Sequence, residues 1–177
     1  LAFLALYVYP DAGEAELRAR KEGAAARRRG GFEGNVGKIE PQRRYFAALF
    51  EYFTVTVVLQ LVDEGILDLD DTVDDWLDDP AVSAIPNVER ITLRQLLTHS
   101  SGIYDFADDN DSPFWADAFL GPEADWTKVW MLGELLAYAD AANHDPYFAP
   151  GEGWAYSNTG YLLLGMIVEA ATDNAYG

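Results

Sequence analysis

The sequence predicts an α+β chain in which an N-terminal β-hairpin precedes a mainly helical region. Three observations carry this. Glu14-Ala15-Glu16-Leu17-Arg18-Ala19-Arg20 alternates polar and apolar residues behind an apolar run at 2–9 and the turn Pro10-Asp11-Ala12-Gly13, the pattern of two half-buried strands. From Tyr45 the period changes: Phe46, Leu49, Phe50, Phe53, Val57 and Leu61 fall at helical spacings, one apolar stripe of an amphipathic helix. Later segments pair a capping residue with a Leu-rich run, the start signal of further helices.

Taken in order, the hairpin is expected over about 2–21. Residues 22–44 read as loop, with Arg27-Arg28-Arg29-Gly30-Gly31 as a solvated turn rather than a polyanion site. The long helix is expected over 47–64, because Gly65 supplies a helix-ending residue. Asp71 or Thr72 can cap a short helix through Trp76-Leu77, with Asp74, Asp75, Asp78 and Asp79 as its solvated face. Thr92 caps a helix carrying Leu93, Leu96 and Leu97, which stops at His99-Ser100-Ser101-Gly102. Residues 103–126 read as an irregular acidic loop, Met131 to Ala139 as helix and 148–153 as a turn. An apolar helix follows from about Tyr161 to Ala171, capped by Asn158 or Thr159.

The 177 residues amount to about one domain, expected as 1–44 hairpin and loop and 45–177 helical region. The net charge is −18, which argues against nucleic acid or an anionic membrane surface as partner. That charge is uneven: residues 1–53 carry nine of the twelve Lys/Arg for a net +2, and residues 54–177 carry a net −20. No stretch approaches the ~18 apolar residues of a membrane span. The run Leu1 to Tyr9 lacks a basic lead-in and a small-residue cleavage site, so it does not read as a signal peptide. With no cysteine, disulfides, thiolate metal sites and a cysteine nucleophile are excluded.

Asp105, Asp108, Asp109, Asn110 and Asp111 cluster in one loop. Oxygen donors at that density can hold Ca²⁺, but the EF-hand glycine and glutamate are missing, so no metal and no cofactor is expected. The two histidines are 45 residues apart, without the spacing of a zinc enzyme. His99, at a helix end, is expected to carry a partly positive ring that suits the helix dipole; His144, beside Asp145, is expected to be exposed. Neither a Gly-x-Ser-x-Gly elbow nor a phosphate-binding Gly-x-x-x-x-Gly-Lys occurs.

Three longer segments, in this order, carry more. They are Leu59-Gln60-Leu61-Val62-Asp63-Glu64-Gly65-Ile66-Leu67-Asp68-Leu69-Asp70-Asp71, Ile91-Thr92-Leu93-Arg94-Gln95-Leu96-Leu97-Thr98-His99-Ser100-Ser101-Gly102 and Pro150-Gly151-Glu152-Gly153-Trp154-Ala155-Tyr156-Ser157-Asn158-Thr159-Gly160-Tyr161. Together they closely resemble the serine β-lactamase-related family of class C β-lactamases, D-alanyl-D-alanine carboxypeptidases and related esterases. The resemblance is close over about 55–177 and faint over 1–54. It implies an acyl-transfer domain and a small-molecule or peptide substrate: a β-lactam, a D-Ala-D-Ala peptide or a small ester. It also implies a secreted or periplasmic setting, which the sequence itself does not assign.

In that family a Ser-x-x-Lys motif opens the long helix, its serine forming an acyl-enzyme. The resemblance makes Tyr156 the proton relay and Asn158 the partner of the lysine and of the substrate amide. Counting back from Phe53-Thr54 puts the nucleophile position at Ala48 and the lysine position at Glu51. Ala48 has no oxygen to acylate and is a poor helix cap. A serine hydroxyl needs a base against it, and a tyrosine with a pKa near 10 becomes that base only beside cations; Glu51 reverses the charge. The family's third motif, Lys/His-x-Gly on a late strand, is not reached, so the fold is expected to be truncated before its later sheet strands. Such a truncation would leave self-association or a missing C-terminal segment to cover the open edge.

Three accounts of this departure stand side by side. The chain keeps the pocket and has lost the chemistry, or a true Ser-x-x-Lys at 48–51 is hidden by a first ~55 residues recorded wrongly, or the chain is a fragment. The expected result for the chain as written is no acyl-enzyme. The rival class is a non-catalytic binding or structural protein with an acidic, cation-binding surface.

Overall fold

Helix α1 spans Val36–Asp63 in a computed structural model that describes residues 36–107, 113–114, 128, 130–140 and 144–173. The expected hairpin at 2–21 and the triple arginine lie outside the described residues, and with them the β part of the α+β expectation. Helix α1 begins eleven residues before the expected start at 47, so 36–44 is helix and not loop. Gly34 and Gly37 suggested loop; the helix nonetheless runs through Gly37 and Pro41, among the straight-chain helix formers Lys38, Glu40, Gln42, Arg43 and Arg44. Ala48 therefore lies inside the helix and is not its cap.

The C-terminus of α1 follows the sequence. Gly65 takes φ 70°, and the N–H groups of Gly65 and Ile66 donate to the carbonyls of Val62 and Leu61, which is the two-bond Schellman closure. The buried face matches the expected stripe only in part: Leu61 is in both, and Phe50 and Val57 of the stripe pack against the core. Thr54, Val58 and Leu61 are buried, whereas Phe53 is 59% exposed. Thr54 can lie inside because its hydroxyl donates to the Phe50 carbonyl at 2.8 Å, which satisfies the buried oxygen.

Short helices follow: α2 at Val73–Trp76, α3 at Pro80–Ser83, a 3₁₀ turn at Val88–Arg90 and α4 at Leu93–Leu97. Thr72 caps α2, and the Asp75 carboxylate accepts from both its N–H and its hydroxyl. Asp79 caps α3 by accepting from the Ala81 N–H. Two of the four aspartates read as a solvated face, both exposed, thus also cap helix starts. Thr92 caps α4 as expected, with Gln95 closing the box. Thr92→Ala is expected to lower stability by about 1 kcal/mol, read as a lower urea midpoint at unchanged slope.

Thr72 and Thr92 form one isolated antiparallel bridge, and no longer strand occurs among the described residues. Helix α5 is Leu132–Leu136, shorter than the expected 131–139. Helix α6 runs Asn158–Thr172, starting three residues before the expected 161. Its cap is Ser157, whose hydroxyl accepts from the Gly160 N–H; serine satisfies that orphan donor at the position just before Asn158 and Thr159.

Helices α1, α2 and α4 all pack on α6. Tyr161, Leu163, Leu164, Ile167 and Val168 of α6 meet Val58, Leu61, Val73, Leu93 and Leu96 in the main core. Burying each such aliphatic side chain stabilises the fold by about 1.5–3 kcal/mol. A smaller cluster of Phe106, Phe114 and Leu135, flanked by Trp130 and Tyr138, packs beside it. The result fixes the first turn of α6 against the end of α4.

Candidate active site

Two irregular segments bring the candidate residues together. The backbone after α4 turns at His99 (φ 56°) and Gly102 (φ 77°). Residues 147–155 then run alongside it: Tyr147 N–H donates to Gly102, Gly151 N–H to Ser100 and Ala155 N–H to the His99 carbonyl, at 2.8–3.0 Å. This register delivers Tyr156, Ser157 and Asn158 to the start of α6.

There the Tyr156 hydroxyl donates to Asn158 Oδ1 at 3.1 Å, so the structure brings the sequence-picked pair into contact. Asn158 Nδ2 lies 3.1 Å from both oxygens of Asp105. Asp105 is 2% exposed and also accepts from the Ala107 N–H. It is turned inward from the acidic loop, and the other four members of that cluster lie outside the described residues. The backbone around it is tied to the same turn: Thr159 donates its hydroxyl to the Tyr104 carbonyl at 2.7 Å and accepts from the Phe106 N–H. Sequence reasoning placed Asp105 only in the acidic cluster and missed its bond to Asn158, since 53 residues separate the two. The Tyr147 hydroxyl, which accepts from the Asp105 N–H, was missed likewise.

His99 differs from the expectation. Burial holds its pKa below the ordinary 6.5, and its Nδ1 accepts from the Ser157 N–H at 3.3 Å. The ring is therefore neutral, with its proton on Nε2, and it lies between Tyr156 and Tyr161 at centroid distances of 4.7 and 5.1 Å. Packing against the Tyr-Ser-Asn turn outweighs the helix dipole, because a charged ring would lose both solvent and its acceptor role. His144 is also not simply exposed: it stacks on Tyr104 at 3.7 Å and 3°, where two flat rings bury area together.

The His99 arrangement has a pH consequence. A histidine whose pKa is depressed by folding takes up its proton more readily in the unfolded chain. Its contribution is complete above pH 6.5 and is lost as pH falls through the unfolded and then the folded value. Urea unfolding at pH 8 and pH 5 is expected to show this loss, and His99→Gln is expected to shrink it; an unchanged difference in the variant would rule out His99 as its source.

Glu51 lies one helical turn beyond Ala48 on α1. Its charge is felt on α6 at Tyr161, whose phenol is pushed up to about 12, first by burial and then by Glu51. The Tyr161 hydroxyl donates to the Leu97 carbonyl at 3.1 Å. The structure thus sets the Glu51 segment of α1 against the start of α6, where its charge acts on Tyr161. No group of three His, Asp or Glu side chains that could hold a metal occurs among the described residues, and no helix among them is long and apolar enough to cross a membrane.

The class is defined by a helical lobe with a Tyr-x-Asn turn at the start of its last long helix. The protein family described as Beta-lactamase matches residues 46–177, and the chain belongs to that family. Penicillin-binding protein 4* of Bacillus subtilis (strain 168) is 34% identical over 130 residues, covering 73% of this chain and 25% of that protein. Lovastatin esterase of Penicillium rubens is 30% identical over 154 residues, covering 77% of this chain and 36% of that one. Among solved structures, the D-stereospecific amidohydrolase from Streptomyces sp. superposes with a TM-score of 0.62 at 40% identity, over 72% of this chain and 37% of that chain. The chain therefore spans between a quarter and about two fifths of the length of these relatives.

Proposed function

We propose that the Tyr156–Asn158 turn is the proton-relay half of a serine-type acyl-transfer site, built for a carbonyl of a β-lactam, a D-Ala-D-Ala peptide or a small ester. The observation that carries this reading is the 3.1 Å bond from Tyr156 to Asn158 at the cap of a buried helix. Relatives named as a penicillin-binding protein, an esterase and an amidohydrolase support the substrate range. In this role Tyr156 passes the proton between nucleophile and leaving group, and Asn158 holds the substrate amide.

The chain as written forms no acyl-enzyme. Residue 48 is alanine and supplies no oxygen, and residue 51 is glutamate where the relay needs a cation. Glu51 already acts in the wrong direction on α6, since it raises the Tyr161 phenol. Incubation with a fluorescent penicillin and with a fluorophosphonate probe is expected to give no covalent labelling on a denaturing gel. Stoichiometric labelling would overturn the loss of reactivity. A non-catalytic binding role is the second reading, favoured by the same Glu51 charge; it expects a β-lactam to leave the melting temperature unchanged and Tyr156→Phe to alter stability alone.

A further inference from the structure

We infer that Asp105 is a positioning residue: its carboxylate, set against Asn158 Nδ2, fixes the orientation of the Asn158 amide and so makes Tyr156 the donor in the Tyr156–Asn158 bond. The inference rests on the reading of those two residues as the acyl-transfer pair and adds a third group to it. An amide offers a donor at one end and an acceptor at the other, whereas an ionised carboxylate only accepts. Asp105 places both oxygens 3.1 Å from Asn158 Nδ2, and its Oδ1 takes a further N–H from Ala107 at 3.0 Å. Turning the Asn158 amide over would set Asn158 Oδ1 against these oxygens, a repulsion at a site where Asp105 is almost fully buried.

Asn158 Oδ1 is thereby committed to the other side, toward the Tyr156 hydroxyl at 3.1 Å. That hydroxyl must point its proton at Asn158, and its lone pairs are left for any other neighbour. Asp105 can impose this because its own backbone is pinned. Its N–H donates to the Tyr147 hydroxyl, and the residues on either side bond to Thr159 on the first turn of α6. A tie that only held two segments together would have no effect on which way the phenol proton points.

The two roles separate by nuclear magnetic resonance of the chain labelled at tyrosine Cζ and asparagine Nδ2, the Tyr156 and Asn158 signals being assigned through Tyr156→Phe and Asn158→Ala. Asp105→Asn keeps the size of the side chain but accepts or donates, so the Asn158 amide is free to turn over. The Tyr156 Cζ resonance is then expected to move upfield, away from the value of a donating hydroxyl, while that of Tyr52, distant in the exposed face of α1, stays in place. The double variant Asp105→Asn with Asn158→Asp reverses the pair and again leaves only an acceptor facing Tyr156, so the resonance is expected to return toward its original position. If Asp105→Asn alters the Asn158 signal and leaves Tyr156 unmoved, Asp105 is only a structural tie and the inference fails. Should Asp105→Asn fail to fold, the double variant decides: a Tyr156 signal unlike that of the original chain also defeats it. Neither readout requires acylation, so probe labelling can overturn the proposed loss of reactivity without touching this result, and the reverse.

Discussion

Gly102→Ala is expected to be the most damaging glycine-to-alanine change among the described residues, lowering stability by about 3 kcal/mol. Two costs add. An L-residue in the left-handed region, where Gly102 sits at φ 77°, costs about 1–2 kcal/mol. A β-carbon there also collides with the Phe148 carbonyl oxygen and comes within 3.0 Å of its carbonyl carbon and 3.1 Å of a ring carbon. Overpacking of that kind costs about 1–3 kcal/mol, and the obstacle is backbone that cannot step aside. Tyr147 N–H is bonded to the Gly102 carbonyl itself, and Gly151 and Ala155 repeat the tie on Ser100 and His99. Relief would require unzipping the segment that places Tyr156 and Asn158. Gly65→Ala is the control: its φ is similar at 70°, but nothing lies within 4 Å of the added carbon. Guanidinium unfolding should therefore show a clearly larger loss at 102 than at 65; equal losses would mean that the contact with Phe148 gives way freely.

The contrast between these glycines bears on what the sequence could reveal. Gly65 was legible because a helix stop is a local event: an apolar stripe, then a glycine, then the Schellman bonds that follow. Thr92 was legible for the same reason, with Gln95 three residues later in the sequence. The start of α1 was not, because Pro41 and Gly37 argue locally for loop while the neighbouring charged residues argue for helix, and propensity alone does not rank them. The buried face of α1 was read only in part: the stripe took in Phe53, which is exposed, and left out Thr54, which can be buried because it bonds back to its own helix.

The site divides in the same way. Tyr156 and Asn158 stand two residues apart, so their contact follows from the turn that leads into α6. Asp105 reaches them only because a distant loop folds back over that turn, and a long-range contact leaves no periodicity to read. The neutral state of His99 was hidden likewise. Its helix-end position suggested a positive ring, but its surroundings are Tyr156, Tyr161 and the Ser157 N–H, all supplied from more than fifty residues away.

Set in a full-length chain, Ala48→Ser combined with Glu51→Lys is expected to turn a protein that takes up no fluorescent penicillin into one that does. A serine without a base stays unreactive, and a lysine without a nucleophile has nothing to activate, so neither single change should suffice. The helix is continuous through both positions, which stand three residues apart, and residues at that spacing are neighbours on one helix face. The lysine also acts where its effect is separately measurable. Burial first and Glu51 second push Tyr161 up to about 12; a cation at 51 removes that repulsion and adds attraction, so the Tyr161 titration is expected to fall in Glu51→Lys whether or not any label is taken up. Adding Tyr156→Phe to the double variant is expected to cut labelling by about 10²–10⁴-fold, the usual worth of a positioned proton-transfer group. A lowered Tyr161 titration with no labelling in the double variant would show that residue 51 faces α6 but residue 48 is not the nucleophile position. An unmoved Tyr161 titration would show that the charge at residue 51 does not reach the start of α6. Labelling that appears with the double variant and vanishes with Tyr156→Phe is the one result that joins all three positions in a single reacting site.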